Sequence, residues 1–322
     1  MPISRSSRVK VGITIGDPSG VGPAITNMAL AQLEGLADFV VIGDAHVLRL
    51  AGANRNLKYP GVRIVDKANI LRRVFKFGKI SAEYGRASME YLDIALELIK
   101  TKEIDCLVTC PISKESINKA GFHFSGHTEY LSLSTHTKDT VMMLLNSSLK
   151  ISLVTRHIPV AEVSLKLNKR LVSGVILVTV QSLEKLFSMH KPKVAVCGLN
   201  PHASDHGVIG DEEEKVIEPV LKALRRRGLC VHGPFSADVA IAKTNRGEYD
   251  AAVAMYHDQA LIPLKLAGDY GGVNITLGLP FVRTSPLHGT AFDIAAGGRA
   301  NPASLKEAIK LAVKCTQNLK RA

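Results

Sequence analysis

The chain has 322 residues, 46% apolar and 22% charged, which is enough to bury one large core or two moderate ones and excludes a disordered polypeptide. Its formal charge of +12 is scattered over Arg72, Arg73, Lys76 and Lys79, over Lys166, Lys169 and Arg170, over Arg225 to Arg227 and over the C-terminal lysines; with no Trp and no RNP, KH or zinc-finger pattern, nucleic acid is not an expected partner. Five cysteines without a C-x-x-C pair exclude a disulfide framework.

In chain order, Val9 to Ile15 reads as the first strand, followed by a glycine-rich turn, Gly16 to Pro23. Further strands are expected at Phe39 to Ile42, Val62 to Val65, Cys106 to Thr109, Thr140 to Leu145, Ile151 to Thr155, Lys193 to Cys197 and Ala251 to Met255. Between them, Ser81 to Lys100 repeats Met89, Leu92, Leu96 and Ile99 at helical spacing behind a candidate N-cap, Ser81. Asp211 to Arg227 opens on acids, ends on arginines and is stopped by Gly228, which matches the helix dipole. A last helix runs from Ser304 to about Leu319. Strands alternating with helices predict an α/β fold with a largely parallel sheet, in two lobes joined by chain crossing rather than by a linker.

The longest apolar stretch, Leu171 to Val180, is broken by Ser173, Gly174 and Thr179, well short of the roughly 18 residues of a membrane span. Residues 1–10 lack the apolar core of a signal peptide, so no membrane association and a cytoplasmic location are expected.

His157, His202 and His257 each follow an apolar run that reads as a buried strand. Ligands bind at the carboxyl ends of strands in open α/β sheets, so three imidazoles there could hold a divalent metal and leave positions open for substrate. Any one of them alone fits a hydrogen-bonded structural role as well. Asp258 either orients the neighbouring imidazole or makes a turn.

Four other segments are dense in polar groups. The turn GDPSGVGP brings backbone N–H groups to an anion or is simply tight. GHTEYL sets His127 beside Thr128, with an N-cap role for Thr128 as the plain alternative. Lys265, Asn274 and Arg283 lie among strand-like apolar residues, where an unpaired charge is expensive and an anionic ligand is a natural counterpart. HGTAFDIAAGGRANP, from His288 to Pro302, is a small-residue loop that offers Asp293 and Asn301.

Together GDPSGVGP, TCPISKESI, GHTEYL, VTRHIP, VCGLNPHA, AMYHDQ and VNITLGLPFVRTS resemble the 4-hydroxythreonine-4-phosphate dehydrogenase family of pyridoxine biosynthesis, over essentially the whole chain. The resemblance implies an isocitrate/isopropylmalate dehydrogenase-like fold of two α/β lobes with a cleft between them. It implies His157, His202 and His257 as metal ligands shared across a homodimer, and substrate contacts from His127, Thr128, Lys265, Asn274 and Arg283. The segment from His288 is similar to the cofactor loop of the wider group, which makes His288, Gly289, Asp293 and Asn301 cofactor residues. A carboxylate at Asp293 would accept the ribose 2′-OH of NAD and repel the 2′-phosphate of NADP. Two positions depart from the pattern: Ala24 where the family commonly has Glu, and Phe292 where the wider group usually has Pro.

The activity so implied is oxidation of the C3 hydroxyl of 4-phosphooxy-threonine by NAD, with loss of CO2 to an amino-ketone phosphate. Zinc, cobalt, magnesium or manganese would suit the metal site, and Lys265, His127 and Asp258 are the candidate catalytic side chains, Lys265 as proton carrier. The competing activities are dehydrogenation of threonate or erythronate 4-phosphate and a metal-dependent sugar-phosphate lyase.

Overall fold

A computed structural model describes residues 8–52, 61–124, 126–268, 271–297 and 300–321. Two compact units emerge, one from the residues up to His136 together with Leu279–Lys320, the other from Thr137–Gly278.

The first unit begins with β1 (Lys10–Thr14), α1 (Gly22–Gln32), β2 (Asp38–Gly43), α2 (Ala45–Leu50), β3 (Val62–Asp66), α3 (Ala82–Lys100), β4 (Cys106–Thr109), α4 (Lys114–Lys119) and α5 (His127–Ser134). The chain then builds the second unit from β5 (Val141–Leu145), β6 (Lys150–Leu153), α6 (Val163–Lys166), α7 (Lys169–Phe187), β7 (Val194–Cys197), α8 (Glu218–Arg226), β8 (Val231–Phe235), α9 (Ala237–Asn245), β9 (Ala251–Ala254), α10 (His257–Leu266) and β10 (Val273–Leu277). It returns to the first unit with β11 (Val282–Pro286) and α11 (Ala303–Arg321).

In the first unit the strand order is β3-β2-β1-β4-β11, every pair parallel. Strands of such a sheet are covered on both faces, so they read as unbroken apolar runs, and all four residues of β4 are buried. In the second unit the order is β10-β5-β6-β9-β7-β8, with β5 antiparallel to both β10 and β6 and the remaining pairs parallel.

All eight expected strands form, within a residue or two at their ends. Three more strands form: β8, which contains Gly233 and Pro234, and β10 and β11, into which the strand-like string around Asn274 and Arg283 divides. Ser81 caps α3 as its sequence requires, Oγ accepting from Tyr84 N at 3.3 Å.

The helix expected from Asp211 starts differently: a π turn at Glu213–Ile217 precedes α8, and Glu213 is fully buried. The broken apolar run Leu171 to Val180 is the middle of α7, where Thr179 donates to Ser152 Oγ at 2.8 Å and so packs on the apolar face without an unsatisfied hydroxyl. No helix among the described residues is long and apolar enough to cross a membrane. The five cysteines are free.

Candidate active site

The expected site residues fall into two sets, one on each unit. In the first unit the turn after β1 has a definite structural task. Gly16 takes φ +71°, and a Cβ there would stand 2.2 Å from Pro111 O. Four N–H groups of this turn are engaged: Asp17 with Pro111 O, Ser19 with Asp17 Oδ1, Gly20 with Asp17 O, and Val21 with Thr290 O at 2.9 Å. The tight-turn reading of GDPSGVGP is therefore present in the structure. Burial raises the pKa of the Asp17 carboxyl, which sequence reading had passed over. The turn braces the loop at Thr290, since Gly20 and Val21 both pack on that residue.

His127 is the first residue of α5, behind Gly126 at φ 151°, so Thr128 lies inside the first turn and does not cap the helix. The His127 Nε2 is sealed from solvent and meets no hydrogen-bond partner among the described residues. Burial, and behind it the charge of Arg283, holds this imidazole well below its usual pKa, so it is neutral at pH 7. Arg283 stands on β11, 2% exposed, and donates Nη2 to Thr109 Oγ1 at 2.6 Å. Burial brings its pKa down to about 9. A buried cation beside a neutral imidazole with an unsatisfied nitrogen is chemistry suited to an anion carrying several oxygen acceptors.

The expected cofactor residues are surface groups. His288 and Asp293 are exposed, and His288 Nδ1 lies 2.9 Å from Gly289 O. Asn301 has a local structural role, Oδ1 accepting from Ala303 N at the first residue of α11. Phe292 places its carbonyl 2.8 Å from where a Cβ on Gly78 would stand, so the loop packs its backbone on that glycine. Gly298 and Arg299, within the same segment, lie outside the described residues.

In the second unit, β6, β7 and β9 end at Leu153, Cys197 and Ala254, and His157, His202 and His257 follow within a few residues, as expected. The rings of His157 and His257 have centroids 5.6 Å apart. Two imidazoles on one tetrahedral ion, with metal–nitrogen distances of about 2.0–2.1 Å, have ring centres about 5 Å apart, so this pair fits a shared cation. His257 Nδ1 is 2.6 Å from Asp258 Oδ1, which orients the ring and leaves Nε2 for a ligand. No group of three metal-binding side chains forms among the described residues of the single chain.

Asn274 on β10 has its Oδ1 buried without a partner among the described residues, as a group that awaits a donor would. Lys265 departs from expectation: it lies on α10, not among strand residues, and is exposed on its own chain.

Three residues of this unit escaped the sequence reading. Asp238 is held below the usual carboxylate range by the Ser236 hydroxyl, then by Val239 N–H, with the charge of His202 adding to the effect. Gln259 accepts from Met255 N at 2.6 Å and donates to Gly198 O at 2.9 Å. Glu213 accepts from Leu199 N and Asn200 N at 2.7 and 2.8 Å. Only the HDQ string around Gln259 carried a sequence signal.

Known proteins place this architecture. The isocitrate dehydrogenase of Methylococcus capsulatus, 14% identical with a TM-score of 0.50 over 97% of this chain and 89% of its own, shows the fold alone, an α/β protein of isocitrate dehydrogenase-like class. The chain belongs to the family described as "Pyridoxal phosphate biosynthetic protein PdxA", which matches residues 35–312. The 4-hydroxythreonine-4-phosphate dehydrogenase of Sulfurihydrogenibium sp. (strain YO3AOP1) is 42% identical over 95% of this chain and 98% of its own. The D-threonate 4-phosphate dehydrogenase of Salmonella typhimurium is 38% identical over 94% of this chain and 98% of its own. A crystal structure of the 4-hydroxythreonine-4-phosphate dehydrogenase from Klebsiella pneumoniae superposes with a TM-score of 0.86 at 36% identity, covering 98% of this chain and all of that one.

Proposed function

We propose that the chain is a cytoplasmic, NAD-dependent dehydrogenase that oxidises 4-phosphooxy-L-threonine at its C3 hydroxyl and releases CO2, giving 3-amino-2-oxopropyl phosphate for pyridoxal phosphate synthesis. The observation that carries this reading is the buried pair of Arg283 and neutral His127, set in a chain that aligns end to end with relatives of that name.

Arg283 neutralises an anionic group of the substrate, and the neutral His127 offers Nε2 to one of its polar atoms without adding a second buried charge. Asn274 supplies its buried Oδ1 as acceptor to a hydroxyl or amino group. Thr128 and Lys265 are further substrate contacts, Lys265 moving the proton at its Nζ. His157, His202 and His257 would hold a divalent ion in a homodimer, with Asp258 fixing the His257 ring. When bound, that ion lowers the pKa of the substrate hydroxyl and polarises the carbonyl that replaces it. His288, Gly289, Asp293 and Asn301 take the cofactor, with Asp293 reading the ribose of NAD.

NADH absorbance followed in parallel with 4-phosphooxy-L-threonine, threonate 4-phosphate and erythronate 4-phosphate tests the reading. The highest kcat/KM is expected for the first. Turnover confined to threonate 4-phosphate would favour the second reading, for which the Salmonella relative at 38% identity speaks.

A further inference from the structure

The backbone that carries His202 is unusual. After Asn200 and Pro201, five consecutive residues without glycine take positive φ: His202 at 53°, Ala203 at 52°, Ser204 at 69°, Asp205 at 46° and His206 at 55°. Side chains disfavour this region, and such backbone persists only where its surroundings over-determine it.

Two side chains, Glu213 and Gln259, anchor the segment that leads into this stretch. Glu213, fully buried on the π turn, accepts from Leu199 N at 2.7 Å and Asn200 N at 2.8 Å through Oε1, and from Asn200 Nδ2 at 2.9 Å through Oε2. The fit leaves no slack: a Cβ on Gly198 would stand 2.8 Å from Glu213 Oε1 and 3.0 Å from Ala203 Cα. From the other side, Gln259 donates to Gly198 O at 2.9 Å while accepting from Met255 N at 2.6 Å. Gln259 lies in the first turn of α10, the helix that His257 opens. One three-residue stretch, Gly198 to Asn200, is therefore gripped from both sides. It leads into His202, and one of its grips is rooted beside His257.

We propose that Glu213 and Gln259 are positioning residues that fix the His202 backbone against that of His257 and thereby set the affinity of the histidines for a divalent cation. This rests on the metal reading above. It assigns neither residue a contact with the ion.

Cobalt(II) serves as the probe. The full-length protein, stripped by chelator, is titrated with cobalt and its visible absorption band followed, with thermal melting of the metal-free protein measured beside it. Glu213→Ala and Gln259→Ala are each expected to weaken cobalt binding about 10- to 100-fold and to alter the band. Glu213→Gln should fall between, because it keeps an acceptor for the two N–H groups but faces Asn200 Nδ2 with a second donor. The matched control is Asp44→Ala in the first unit, a buried carboxylate that also serves three backbone N–H groups, those of His46, Val47 and Ile70. It should lower the melting temperature and leave cobalt affinity unchanged.

Wild-type affinity and band in Gln259→Ala and either Glu213 variant would overturn the proposal, as would an equal loss in Asp44→Ala. If Glu213→Ala does not fold, Gln259→Ala and Glu213→Gln decide. Absence of cobalt uptake by wild type, or undiminished uptake by His202→Ala, would instead remove the metal reading and this proposal with it.

Discussion

Thr109, the last residue of β4, accepts a 2.6 Å hydrogen bond from Nη2 of Arg283 and so holds a guanidinium that is 2% exposed. A hydrogen bond to a charged group inside a protein contributes about 1.5–3 kcal/mol. Thr109→Val keeps the shape and removes the acceptor, so it should lower unfolding stability by roughly that amount, while Thr109→Ser stays close to wild type. Urea unfolding curves check this; a Val variant with an unchanged midpoint would show that Arg283 is held by other groups.

His127 makes stability depend on pH. Its folded pKa is depressed, whereas the unfolded chain titrates it near pH 6.5. Below that value the unfolded state binds the proton and the folded state does not, so stability falls as pH drops, by at most about 1.4 kcal/mol per pH unit from this group. His127→Gln should flatten the decline in melting temperature between about pH 7 and about pH 5. A variant that tracks wild type through that window would contradict the assignment of a buried, neutral ring.

Asp258 fixes the His257 ring through its 2.6 Å contact with Nδ1. Partners of this kind typically change metal affinity by about 10- to 100-fold when removed. Asp258→Ala should weaken zinc binding by that factor, read by competition with a chromogenic chelator, whereas Asp258→Asn, which still offers an oxygen to Nδ1, should retain most of it.

Asp293 is exposed on the loop after His288 and is free to meet a cofactor ribose. Asp293→Arg should shift the ratio of kcat/KM for NAD over NADP towards NADP, because a cation replaces a charge that repels the 2′-phosphate. An unchanged ratio would place cofactor selection elsewhere.

What the sequence disclosed, and what it withheld, follows physical lines. Strands buried on both faces announce themselves as apolar runs, so β1, β4 and β9 were legible, and the position of three histidines just past strand ends was legible with them. β8 was obscured by Gly233 and Pro234, both poor strand formers. The helical state of α7 was hidden by its Val, Ile and Thr content and recovered by tertiary packing, with Asn168 Oδ1 capping it from Leu171 N. Glu213 gave no local signal, because its role consists of satisfying the N–H groups of residues 199 and 200, and that pairing exists only in the folded chain. The substrate came from the seven ordered strings and not from any property of composition or spacing.

Thr109 and Arg283 are 174 residues apart in sequence, and β4 acquires its neighbour β11 only when the chain returns from Gly278. During synthesis the nascent N-terminal unit therefore waits with one flank of β4 uncovered, while the 137–278 stretch has its own pairings in hand as soon as it leaves the ribosome. An unpaired parallel edge is an open template for other chains. Truncation shortly before Val282 should accordingly yield a product that aggregates through its N-terminal portion rather than one that merely lacks activity.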